Sequence, residues 1–184
     1  MPLVEVTTHY LEMTAPGDFR PRRAARDGVR FTLVSRPMPE LNRFFYMTIG
    51  GDWFWLQRRP WTLSQWTWWV TRPELETWVL SVDALPAGYV ELDRQAGGVI
   101  EIAYFGLLPA FTGQRLGAHL LTEGVERAWG TGASRVILNT CNLDHPRALS
   151  NYLASGFRAY RTDVRMKELP LEPPGPWDGA FGPF

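Results

Sequence analysis

The segment Thr112-Gly113-Gln114-Arg115-Leu116-Gly117-Ala118 lies between a β-rich apolar run and a helical pattern. A helix amino terminus presents unpaired N–H groups and the positive end of its dipole, so it stabilises an anion such as a phosphate or diphosphate, and glycine lets that anion approach the backbone. Plain helix entry is the other reading of these residues. Two familiar phosphate loops are excluded: there is no GxxxxGK[ST], and no GxGxxG follows the first strand with an acidic residue about 20 positions onward. Nucleotide hydrolysis and hydride transfer lose ground accordingly. His9, His119 and His145 are scattered without metal-ligand spacing, and no metal is expected. Cys141 is the only cysteine, so no intrachain disulfide can form.

The elements that must hold this loop can be read on either side of it. VEVTTHYLEM reads as an opening strand, PGDFRPRRAARDG as a charged loop, and order resumes near Val29. From Pro39 to Ile49 the apolar positions recur at helical spacing, ended by Gly50-Gly51, and a second helix is expected near Thr62 to Val70, capped by Thr62 or Ser64. TWVLSVDA, GYVELDR and VIEIAYFGLL predict an antiparallel meander with turns at Pro86-Ala87-Gly88 and Gln95-Ala96-Gly97-Gly98. A helix from Gly113 to Trp129 follows, stopped by Gly130 and Gly132. RVILN predicts a strand inside the sheet and covered on both faces. Pro146 starts a helix that carries Ala148, Leu149, Tyr152 and Leu153 to Gly156, and FRAYRTDVRM reads as the last strand.

The loop, the strand EIAYFGLLP before it and the ending A-x-x-x-Y-x-x-x-G-F, here Ala148, Tyr152, Gly156 and Phe157, together resemble the GNAT family of acetyl-CoA-dependent N-acetyltransferases. The resemblance covers roughly residues 77–160. The family's loop reads Q/R-x-x-G-x-G/A; this chain keeps the final Gly117 but has Thr112 at the first position and Arg115 at the middle glycine. The resemblance implies an α+β fold with a mixed, mostly antiparallel central sheet of about six or seven strands, about four flanking helices, and a V-shaped splay between the strand of Glu101 and the strand Arg135 to Asn139. Acetyl-CoA would enter that splay as co-substrate. Its pantetheine amides would pair with Phe105, Gly106 and Leu107, and its diphosphate would rest on Thr112, Gly113, Gln114, Arg115, Leu116, Gly117 and Ala118. Arg115 adds a charge-assisted contact and is tolerable in place of glycine if its backbone stays in an ordinary region.

The same resemblance implies roles for Glu101 as water-mediated general base and Tyr152 as general acid for the departing thiolate. An exposed strand carboxylate and an ordinary buried helix face are the bland readings of these two residues. His145 stands where many relatives carry Asn; it binds pantetheine, relays a proton or caps the turn before Pro146. Cys141 is either a covalent acyl carrier or a small buried hydrophobe, and direct transfer is the family habit.

Composition bounds the rest. The 184 residues suit one domain, ending in a Pro/Gly-rich tail over 169–184. Formal net charge is zero, which argues against nucleic acid or an acidic membrane as partner. No apolar run approaches the ~20 residues that span a bilayer, and the opening MPLVEVTTHY has no secretory pattern, so a cytoplasmic setting is expected. The partner is a small-molecule or peptide amine, with a homodimer open. A catalytically weak acyl-CoA-binding or regulatory module is the alternative. Seven of the nine Trp fall between Trp53 and Trp78, as core, acceptor pocket or partner surface, and Asp52 beside them is a candidate carboxylate for an ammonium group.

Overall fold

Seven stretches with strand-like alternation form one sheet: β1 (Leu3–Met13), β2 (Val29–Leu33), β3 (Leu75–Val82), β4 (Leu85–Gln95), β5 (Val99–Leu107), β6 (Arg135–Cys141) and β7 (Arg158–Glu168). In the computed structural model, which describes residues 1–177 and 179–180, their order is β2-β3-β4-β5-β6-β1-β7. Every neighbouring pair is antiparallel except β5 with β6. The expected mostly antiparallel sheet is therefore observed, with the opening strand β1 inserted between β6 and β7. Of the tail, residues 178 and 181–184 lie outside the described residues. Its nearer part folds back, where Gly175 donates its N–H to Gly51 and accepts from Arg59 Nη1.

Four helices flank the sheet: α1 (Pro39–Gly50), α2 (Leu63–Val70), α3 (Leu116–Gly130) and α4 (Ala148–Ala154). Thr62 caps α2 through a reciprocal box, accepting the Gln65 N–H while the Gln65 side chain accepts the Thr62 N–H at 2.8 Å. Leu116, Leu120, Leu121 and Val125 of α3 are fully buried against Leu80, Val90, Leu92, Ile100 and Val136. Each such side chain contributes about 1.5–3 kcal/mol relative to exposure, and this is the main core. On the opposite face Phe45 and Ile49 of α1 cover Tyr89, and Tyr46 of α1 meets Trp66 of α2.

Two local expectations are corrected. The β3–β4 turn is at Asp83 and Ala84, which take φ values of 50° and 68°, so Val82 pairs directly with Leu85 and Pro86 to Gly88 belong to β4. A two-residue turn with both φ positive matches the right-handed strand twist, and Pro86 lies at the register irregularity near Leu80 and Ser81. β6 is covered on one face only: Val136, Leu138 and Thr140 are buried, whereas Asn139 is exposed and Ile137 and Cys141 are partly open.

Candidate active site

β5 and β6 pair only at Val99–Arg135, Ile100–Val136 and Glu101–Ile137. Beyond Glu101 the two strands separate, leaving residues 102–107 without a partner strand on that side, although β4 still pairs them on the other. This is the splay. It opens a cleft of about 1160 Å³ bounded by β5, the start of α3, the loop before α4, and the segment 53–58. A bulge in β5 shapes it: Glu91 opposes Tyr104 while Leu92 opposes Ile102, so one extra residue reverses the facing of everything beyond. Tyr104 thereby turns to α1 and α2, and Phe105 to α3 and α4. Gly106 packs under α1, where an added Cβ would lie 2.5 Å from Ile49 Cγ2.

The loop enters α3 with Gly113 at φ 81° and Arg115 at φ 62°, ψ 6°. Arg115 thus occupies the left-handed region, correcting the expectation of an ordinary backbone; the conformation that glycine adopts freely is imposed on an arginine, at about 1–2 kcal/mol. Thr112, Gly113, Arg115, Gly117 and Ala118 line the cleft together with Phe105, Gly106 and Leu107. Leu116 is buried in the core instead, and Gln114 turns away, donating to the Ala110 carbonyl and accepting from Arg26. Free β5 backbone groups and unpaired N–H groups at a helix start fit an amide chain that ends in a diphosphate.

The segment after β1 adds cations that the motif reading did not include. Arg22 donates its backbone N–H to Thr122 on α3 and its Nη2 to the Asn151 carbonyl at 2.9 Å and Ser155 Oγ at 3.1 Å, tying α3 to α4. Arg22 and Arg23 both border the cleft. Four arginines between Arg20 and Arg26 were the available signal.

Glu101 and Tyr152 both line the cleft but belong to opposite faces of the sheet. Glu101 lies at the last paired position of the splay, facing away from Ile100 and Ile102, and accepts from Gln95 Nε2 at 3.3 Å. Burial first, and the Asp93 charge second, push its carboxyl above the usual range, partly offset by Arg58. Tyr152 packs edge-on against Phe105 and Phe157, and its hydroxyl has no hydrogen-bond partner among the described residues. Burial and then Asp144 push that hydroxyl well above the ordinary tyrosine value. His145 caps the turn: its Nδ1 accepts the Arg147 N–H at 3.1 Å, and its ring meets Trp53. Burial and then Asp144 also raise the Cys141 thiol, which disfavours the thiolate an acyl carrier needs. His9 bonds Thr162 and His119 lies near Glu123, both away from the cleft lining, and no metal-sized cluster of His, Cys, Asp and Glu exists among the described residues.

The Trp-rich half divides by position. Trp66 is core; Trp53, Trp55 and Trp69 line the cleft; Trp78 stacks on Phe31; Trp68 is exposed. Asp52 is exposed and outside the cleft. The charge within this half is a buried ion pair that the sequence did not flag. Arg58 Nη1 donates to Glu91 Oε2 at 2.8 Å with side chains 6% and 0% exposed, and Asn42 Nδ2 and Trp69 Nε1 also donate to Glu91. The guanidinium carbon lies 3.8 Å from the Trp69 ring centre and 4.1 Å from that of Tyr104.

A meander joined to a parallel pair that opens beside a helix amino end defines an acyltransferase-type α+β fold. A family model described as acetyltransferase (GNAT) family matches residues 37–157, and the chain belongs to that family. Its fold is similar to a GCN5-related N-acetyltransferase from Kribbella flavida (TM-score 0.63, 21% identity, covering 87% of this chain and 57% of that one). It is also similar to a GCN5-related N-acetyltransferase from Sphaerobacter thermophilus (TM-score 0.64, 16% identity, 86% of this chain and 50% of that one). A third likeness is an aminoglycoside acetyltransferase from an uncultured soil metagenomic sample (TM-score 0.59, 10% identity, 70% of this chain and 88% of that one). The chain thus spans only 57% and 50% of the first two structures. No curated protein matches it in sequence. No helix among the described residues is long and apolar enough to cross a membrane.

Proposed function

We propose that residues 1–184 form one acyltransferase unit that transfers an acetyl group from acetyl-CoA directly to the primary amine of a small molecule or peptide in a cytoplasmic setting. The observation that carries this reading is the opening of β5 from β6 just after Glu101, with the α3 amino terminus bordering the same cleft. Phe105, Gly106 and Leu107 would hold the pantetheine arm through their free backbone groups. Arg115, Gly117 and Ala118 would present N–H groups to the diphosphate, with Arg22 supplying nearby positive charge, whereas Arg23 is held by Glu123 and Glu126. Acetyl-CoA supplies the activated thioester.

Glu101 accepts, through water, the proton of the acceptor ammonium, which frees the nitrogen lone pair. As the new C–N bond forms and the C–S bond breaks, Tyr152 donates its hydroxyl proton to the sulfur. The second proton of the attacking nitrogen passes through water to the phenolate, which restores Tyr152 and leaves the amide and the free CoA thiol. A carboxyl held above its ordinary range is a stronger base toward an amine, and a high-pKa phenol stays protonated until a thiolate develops beside it. Measuring CoA thiol release with a panel of amines tests the reaction, and calorimetric titration with acetyl-CoA tests the binding. Absence of acetyl-CoA binding overturns the reading.

A further inference from the structure

Among the described residues, Arg58 is the one guanidinium enclosed at the α1/α2 end of the cleft, and Glu91 uses only part of its donor set. Glu91 holds Nη1, while no described residue accepts from Nε or Nη2. Neither of those two nitrogens is fully shielded, and the residue, 5% exposed, borders the cleft. Glu91 cannot swing to cover them, because Asn42 and Trp69 fix both of its oxygens. Trp69 and Tyr104 hold the guanidinium in place by its ring contacts. Two N–H groups on one edge of a guanidinium, held in place and open to the cleft, form a rigid fork that matches a carboxylate.

Its place relative to Glu101 adds a second constraint. The two residues line one cleft, so an acceptor whose ammonium reaches Glu101 can set a carboxylate of its own against the side of Arg58 that Glu91 leaves open. Trp53, Trp55 and Trp69 make the surrounding wall apolar.

We propose that Arg58 binds a carboxylate of the acceptor, so that the substrate class is an amino acid or short peptide with an apolar side chain. This rests on the acyl-transfer reading above. The amine would face Glu101, the carboxylate Arg58, and the side chain the tryptophan wall.

The test is a set of matched acceptors: leucine and phenylalanine, their amides, and the corresponding amines lacking the carboxylate. The acids are expected to have kcat/KM on the order of 10- to 100-fold above their partners, as for a hydrogen-bonded charge pair. Arg58→Met alone would strand the Glu91 carboxylate, so it is combined with Glu91→Gln, and near-native circular dichroism qualifies the double variant. In that variant the preference should fall to about one. Equal rates for acid, amide and amine in the native protein, or an undiminished preference in the double variant, overturn the proposal. Acetyl-CoA binding without turnover of either acid overturns it too while sparing the cofactor claim; loss of acetyl-CoA binding removes the reading beneath it.

Discussion

Asp93 and Glu101 stand opposite each other on β4 and β5, and the Gln95 amide reaches both carboxylates, at 3.1 Å and 3.3 Å. Asp93 is already engaged by Arg72 at 3.0 Å, so its charge stays close to Glu101. Glu101 is the partner held toward protonation, by burial and by that charge.

The first prediction concerns this pair. A base whose pKa is raised gives kcat/KM an acidic limb displaced upward: activity falls as pH drops through the raised value. Glu101→Gln should lower kcat/KM by about 10²–10⁴ and remove that limb, read from a pH–rate profile. For stability the sign is opposite to that of an ion-paired carboxylate. A folded-state pKa above the unfolded one gives stability that is complete below the unfolded value and lost as pH rises through the folded value. Glu101→Gln is therefore expected to melt higher than the native protein at neutral pH, with the difference closing in acid.

Tyr152→Phe keeps a ring between Phe105 and Phe157 and removes only the hydroxyl. We expect kcat to fall by about 10²-fold with the calorimetric acetyl-CoA affinity within about twofold of native. An unchanged kcat would remove Tyr152 from the mechanism.

Arg115 should invert an ordinary preference. In a left-handed position glycine is free of the Cβ penalty, so Arg115→Gly should be about 1 kcal/mol more stable than Arg115→Ala in urea unfolding. Elsewhere in a helix the alanine variant would be the more stable one.

Gly106 tests whether α1 is seated directly on β5. Gly106→Ala places a methyl against Ile49, and overpacking of this kind costs typically 1–3 kcal/mol in thermal or chemical unfolding. Ile49→Leu in the same chain should return part of that loss, because it removes the Cγ2 methyl that the added carbon meets while keeping the side-chain volume.

Local physics explains what was legible beforehand. The alternation in β3, β4 and β5, the Thr62 cap, the helix entry after Gly113 and the run from Ala148 to Phe157 are short-range signals, carried by residues a few positions apart. They were sufficient for the α+β sheet and for the family, whose model spans residues 37–157. They missed the β3–β4 turn because Asp83 and Ala84 are held at positive φ by the pairing of their flanking strands, while Pro86 and Gly88 carry the stronger local turn signature.

Tertiary structure decided the rest, because it depends on separations that no local pattern records. The insertion of β1 between β6 and β7 joins residues more than a hundred positions apart. The Arg58–Glu91 pair joins two different elements, and each residue read alone is an ordinary surface charge. Only folding removes both from water, and desolvation then makes their hydrogen bonds and ring contacts obligatory. The cleft likewise follows from a strand pair that stops after Glu101, where the bulge in β5 turns Tyr104 to one face and Phe105 to the other.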